Sequence, residues 1–209
     1  MEYLEELLQR YPALAPCRGD IESALRALTD CFTAGGKLLV CGNGGSAADS
    51  DHIVAELMKG FRRLRPLPED FRKRLCAVDP TLGSVLAAKL QGALPTINIT
   101  TLSAVSSAFA NDVSAELAYA QAVNGYGKQG DILLGISTSG NAANVRSALC
   151  VARARGMKTI GLSGKGGGKM ADLCDIIIRV PATRTFEIQE LHLPVYHCIC
   201  ATLEAHFFT

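Results

Sequence analysis

Leu38-Leu39-Val40-Cys41-Gly42-Asn43-Gly44-Gly45-Ser46 is the stretch from which the rest of the chain is read. Four apolar residues after Lys37 predict a buried strand, and the glycines after them predict a tight turn into a helix. Such a turn lets the backbone approach an anion closely and points the N–H groups of the helix start at it. His52 and Glu56 follow in the helical run, four residues apart, and so share one face. An anion cradle beside an imidazole and a carboxylate implies an enzyme acting on a phosphorylated small molecule. The plainer alternative is an ordinary strand-to-helix turn followed by an amphipathic helix.

Around this stretch, strands and helices alternate. Helical periodicity is present over residues 2–9 and 20–34, with Asp20 as a predicted N-cap and Gly35-Gly36 as a stop. The strand over 37–41 and a helix over 47–59 come next. Residues 61–68 are basic and broken by prolines, and 70–74 add further charge, which reads as a solvated connection. A short helix is predicted over 81–90. Strands are then expected at 96–100, 131–136, 158–162 and 176–180. Helices are expected at 103–110, 114–123, 142–155, 169–173 and 186–207, with Gly156 as a further stop. This order predicts an α/β fold, a doubly wound parallel sheet covered by helices on both faces in a Rossmann-like three-layer sandwich. Ligands bind such sheets at the carboxyl ends of the strands, where the polar loops gather. Residues 1–209 read as one domain, with N-terminal helices over 1–36.

Composition narrows the function classes. With 48% hydrophobic residues and a net charge of +1, the 209-residue chain has a real core and no general pull toward nucleic acid. No apolar run reaches the length of a membrane span, and the acidic start does not read as a signal peptide. There are eight cysteines and no C-x-x-C pair. Cys31, Cys41, Cys150 and Cys198 fall in apolar patterns, so the thiols are expected to be reduced, buried and cytoplasmic.

Two further regions carry polar groups. Ser137-Thr138-Ser139-Gly140-Asn141 puts three hydroxyls in another strand-to-helix turn, which together with Ser46 suits a phosphate; N-capping is the local alternative. The last helical stretch holds Gln189, Glu190, His192 and His197 in an otherwise apolar run.

These motifs resemble the sugar isomerase (SIS) domain family, and within it the phosphoheptose isomerases. The resemblance rests on Cys-Gly-Asn-Gly-Gly-Ser at 41–46, His52-x-x-x-Glu56 and Ala110-Asn111-Asp112. It extends to Ser137-Thr138-Ser139-Gly140-Asn141 and to Ile188-Gln189-Glu190 with His197, and covers nearly all the chain outside 62–95. It implies conversion of sedoheptulose 7-phosphate to glycero-manno-heptose 7-phosphate through an enediol, in a cytoplasmic homotetramer with shared active sites. By that resemblance Ser46, Ser137, Thr138 and Ser139 hold the phosphate, with Asn43, Gly44, Gly45, Thr101 and Gln189 as further substrate contacts. Glu56 and His197 are the implied acid–base pair, and His52, Glu56, Gln189 and His197 the implied zinc ligands.

Gln189 and His197 lie roughly 12 Å apart along a straight helix, too far for one zinc with bonds of about 2 Å. Either the helix is irregular at Pro194 or neighbouring subunits share the site. Ala142, Lys59-Gly60 and Leu102 depart from the family pattern, which leaves another ketose phosphate or an amino-sugar phosphate as alternative substrates. Two non-enzymatic relatives are the rivals. The replication initiator-associating protein lacks the counterpart of Glu56, and the sugar-phosphate-sensing regulators carry a helix-turn-helix domain for which no segment is left here.

Overall fold

The computed structural model describes residues 2–208. Five strands run parallel: β1 (Leu38–Cys41), β2 (Thr96–Asn98), β3 (Ile132–Ile136), β4 (Lys158–Ser163) and β5 (Ile176–Arg179), in the order β2-β1-β3-β4-β5. The order reverses at β1, whose chain crosses to β2 on one side and then returns to β3 on the other. The loops leaving β1 and β3 therefore diverge at a topological switch point, the place where such sheets open a crevice.

Strand side chains alternate between two cores. Leu38, Val40, Ile132, Leu134, Ile136, Ile160, Leu162 and Ile178 face one side. There they meet α1 (Glu2–Arg10), α2 (Arg18–Thr33), α3 (Gly45–Met58) and α9 (Thr185–Phe207). Leu39, Cys41 and Leu133 face the other side, against α7 (Ala118–Tyr126) and α8 (Ala143–Ala154). Ile53 and Leu57 anchor α3 and are 2% and 0% exposed. Full burial of such a side chain is worth about 1.5–3 kcal/mol, enough to fix which face of α3 turns outward.

The elements depart from expectation in several places. Helix α2 begins at Arg18 because a 3₁₀ turn over Pro12–Cys17 leads straight into it; Asp20 lies inside the first turn and is not the N-cap. The helix after the glycine turn starts at Gly45, two residues earlier than expected. Strand β2 ends at Asn98, whose side chain accepts from Thr100 N–H and turns the chain into a 3₁₀ helix. Helix α6 (Ser103–Phe109) continues into a π-turn over Ala110–Ser114, and α7 starts only at Ala118. Cys150 is exposed on α8, although all eight cysteines are free thiols.

The largest departure is in the basic segment. Residues expected to form a connection contain α4 (Glu69–Val78), which packs against α5 (Pro80–Lys89) and buries no residue of its own. Arg65, read as solvated, is 1% exposed. Its guanidinium donates to Glu204 Oε1 on α9 at 2.8 Å and to the carbonyls of Leu57 and Glu56 at 2.7 Å each. Those carbonyls belong to the last turn of α3, where a cation complements the helix dipole. Glu204 also accepts from the N–H groups of Phe61 and Arg62. Burial pushes its carboxyl up, but those two N–H groups and Arg65 outweigh it and hold the group below the usual glutamate range. Among the described residues no helix is long and apolar enough to cross a membrane.

Candidate active site

The loops after β1, β3 and β4 form a rim at the carboxyl ends of the strands. Gly44 takes φ +55°, a conformation that side chains disfavour, and so turns β1 directly into α3. Ser46 and Ser137 are buried at 3% and 6% exposure, Thr138 is half-buried and Ser139 is exposed. In the second loop Gly140 has φ +66°, and a Cβ there would lie 1.9 Å from the Gly167 carbonyl. The third loop thus braces the second. Gly164 N–H donates to Thr138 O (3.1 Å), Met170 N–H to Gly140 O (2.9 Å) and Lys169 N–H to the Asn141 side chain (3.0 Å). Asn43 exchanges amide hydrogen bonds with Asn144 at 2.9 and 2.8 Å, and Tyr119 donates to Gly42 O at 2.9 Å. Asn144 and Tyr119 were not singled out from the sequence, where they stand far from the loop they hold. Thr101 is exposed just past β2, with its hydroxyl donating to Asn98 O.

A second group of side chains forms where α3 crosses α9. His52 Nε2 lies 3.1 Å from Glu56 Oε1 and 3.4 Å from His197 Nε2. Glu56 and His197 therefore meet through His52 within one chain. The second carboxylate oxygen of Glu56 is buried with no partner. Burial and the nearby His52 push the His197 imidazole below its usual value against the pull of Glu56, so it is neutral at neutral pH. His197 also lines a cleft of about 430 Å³ between α1 and α9, together with Arg10, Tyr11, Phe61 and Arg62.

Gln189 does not join this cluster. Helix α9 runs unbroken through Pro194, which rules out the irregular helix considered above. Eight residues of α-helix set Gln189 roughly 12 Å from His197 along the axis. Its amide instead lies at the rim, where a Cβ on Gly45 would come 2.3 Å from Nε2. A metal with bonds of about 2.0–2.1 Å in a tetrahedral site sets its donors roughly 3.3–3.4 Å apart. The His52–His197 spacing of 3.4 Å matches that edge, whereas the His52–Glu56 spacing of 3.1 Å is a hydrogen-bond distance. Among the described residues, however, no set of three His, Cys, Asp or Glu side chains in the chain is arranged to hold a metal. The donor types suit a metal, but the three side chains of one chain are not arranged as a site for one.

A parallel sheet whose glycine and hydroxyl loops form a rim above a histidine–carboxylate cluster defines a SIS-type α/β domain. Models of the SIS domain match residues 2–72 and 104–205. The chain is 40% identical to the phosphoheptose isomerase of Rhodospirillum rubrum over 191 residues, 91% of this chain and 88% of the relative. It is 35% identical to that of Akkermansia muciniphila, over 97% of this chain and 93% of the relative. A phosphoheptose isomerase structure from Francisella tularensis superposes with a TM-score of 0.77 at 29% identity, over 98% of this chain and 95% of that one. The chain belongs to the phosphoheptose isomerase family of SIS domain proteins.

Proposed function

We propose that the protein is an aldose–ketose isomerase that converts sedoheptulose 7-phosphate to glycero-manno-heptose 7-phosphate. The observation carrying this reading is the meeting of Glu56, His52 and His197 within one chain, at 3.1 and 3.4 Å. Glu56 removes the proton from the carbon beside the carbonyl, and neutral His197 moves protons at the two oxygens of the resulting enediol. Returning the proton from Glu56 to the former carbonyl carbon completes the isomerisation. Each positioned group contributes about 10²–10⁴-fold. The hydroxyls of Ser46, Ser137, Thr138 and Ser139 hold the phosphate, with Asn43, Gly44, Gly45, Thr101 and Gln189 as further substrate contacts.

His52, Glu56 and His197 are the residues of one chain that would hold zinc. When bound, zinc supplies a Lewis acid that polarises the carbonyl and stabilises enediolate charge. Gln189 of a second copy is the missing donor, and its place at the rim supports a homotetramer with shared sites. Free thiols at all eight cysteines suit a reducing compartment, so cytoplasm is the proposed location.

Leu102 and Ala142 pack against the core beneath α7 and α8, at positions where the family has polar groups. They favour, as a second reading, a different phosphorylated ketose or an amino-sugar phosphate. Incubation of the purified protein with a panel of ketose phosphates, with and without zinc, tests both readings. Aldose formation from the heptulose above all others is expected. Turnover confined to another sugar would establish the second reading, and none with any sugar would overturn both.

A further inference from the structure

The α4–α5 hairpin takes no part in the site described above. Its inner contacts are well made. Asp79 caps α5 by accepting from Thr81 and Leu82 N–H, and a Cβ on Gly83 would lie 2.2 Å from the Leu75 carbonyl, so the two backbones touch where the helices cross. Its outer surface is left open. Each helix is only ten residues long, α4 buries no residue and α5 buries only Gly83. Isolated helices shorter than about 12–15 residues are marginal in water, so a stable hairpin calls for packing beyond this crossing. Leu64, Phe71, Val78, Leu82, Val85 and Leu90 are six of the thirteen large apolar side chains exposed among the described residues, so exposed apolar surface is concentrated here.

The root of the hairpin is fixed beside the cluster. Pro66 and Gln91 pair as an antiparallel bridge, and Gly92 N–H donates to Arg65 O at 2.7 Å. Arg65 in turn holds the carbonyls of Glu56 and Leu57. The arm from residue 66 to 91 matches one side of a standard protein interface, about 20–30 residues. Its charges are of both signs and pair along α4, as Lys73–Glu69 and Arg74–Asp70, which does not suit a nucleic acid or an anionic membrane.

A second apolar surface lies at the other end of the sheet. The segment from Ser103 to Leu117 buries no residue, and Val105, Val113 and Leu117 are exposed on it. It adjoins the rim, since Tyr119 just beyond it donates to Gly42 O. We propose that the hairpin is a docking arm for a second copy of this chain and lies against the 103–117 segment of that copy. The choice of partner rests on the shared-site reading, in which a second copy brings its rim to the cluster at the hairpin's root. In a two-fold pair each arm covers the other copy's segment, and the contact closes on itself.

Sedimentation velocity of the purified protein over a range of concentrations tests this. Wild type is expected to assemble. Val78→Asp/Leu82→Asp, with both changes at exposed positions, is expected to keep its helicity by circular dichroism and to associate about 10²–10⁴-fold more weakly. Val113→Asp is expected to weaken association about 10–100-fold. Combined with the hairpin pair it is expected to add less than its own effect, because the two surfaces meet. Lys73→Ala, on the opposite face of α4 from Phe71 and Val78, is expected to assemble as wild type does. If the hairpin variant loses helicity, replacing residues 67–90 by a short glycine linker across the Pro66–Gln91 bridge is expected to give the same dissociation. A monomeric wild type would overturn the proposal. So would unchanged association in the hairpin variants or in Val113→Asp, or an equal loss in Lys73→Ala. The mass readout needs no substrate. Assembly that depends on the hairpin in a protein that isomerises no sugar phosphate would sink the functional reading and leave this one standing, and a working isomerase whose assembly ignores the hairpin would do the reverse.

Discussion

The rim and the histidine cluster are built in opposite ways. The rim is made from three loops, each following its own strand, with glycines at the turns and neighbouring loops bracing one another through backbone hydrogen bonds. The cluster is made from side chains on two helices, with His52 and His197 separated by 145 positions in the chain. It retains a buried carboxylate oxygen without a partner, and Gln189 lies away from it at the rim. One chain completes the rim, the part proposed to grip the phosphate. The cluster, proposed to move protons, leaves one Glu56 oxygen without a partner, and the proposed second copy would complete it.

The sharpest way to break the pair apart is Glu56→Gln. Turnover is expected to fall by about 10²–10⁴-fold, with sugar-phosphate binding by calorimetry changed only a few-fold. A near-normal rate would remove Glu56 as the base. Next in size is Arg65→Met, which leaves Glu204 buried without its cation and releases the end of α3. Breaking a buried pair on one side costs about 3–5 kcal/mol, to be read from urea unfolding. In the part that remains folded, kcat is expected to fall more than phosphate affinity, because Arg65 supports the cluster helices and not the rim.

Ser137→Ala is the complementary cut. Loss of a hydrogen bond to a charged phosphate, about 1.5–3 kcal/mol, raises KM roughly ten- to a hundredfold with a smaller change in kcat. The smallest effect concerns pH. Glu204 has its carboxyl held below the usual range, so the stability it contributes is fully present above the ordinary glutamate value. That stability is lost as pH falls through the lower folded value. Unfolding free energy measured against pH is expected to drop more steeply over that acid window in wild type than in Glu204→Gln.

The strand, glycine turn and helix around residue 42 were legible because each signal is local: an apolar run, then residues that only a turn explains. The hydroxyl loop after β3 was legible for the same reason. Helix α4 was not: Phe71, Leu75 and Val78 fall at helical spacing, but the charges between them and the prolines before them made the segment read as a connection. Its ion pairs Lys73–Glu69 and Arg74–Asp70, each four residues apart, were the available sign and looked like solvated charge. Arg65 was misread because its partner lies 139 positions further along the chain. Asp20 looked like a cap only because the 3₁₀ turn ahead of α2 has no sequence signature of its own. Tyr196 and Asp49 were not singled out, because they stand 147 positions apart and meet only where α3 and α9 cross. The distance argument for Gln189 was sound from the sequence. The structure removes the kinked-helix explanation, and a shared site with a second copy is what we propose in its place.

Subunit mixing tests that claim most directly. Glu56→Gln and Gln189→Ala, each nearly inactive alone, are mixed and exchanged by mild denaturation and refolding, then assayed for aldose formation. Recovery of activity is predicted, since one chain brings an intact Glu56–His52–His197 cluster and the other an intact Gln189. Mixing Glu56→Gln with His197→Ala is predicted to recover nothing, because both defects fall in the cluster of a single chain. Full activity of Gln189→Ala alone, or recovery in the second mixture and not the first, would contradict the account.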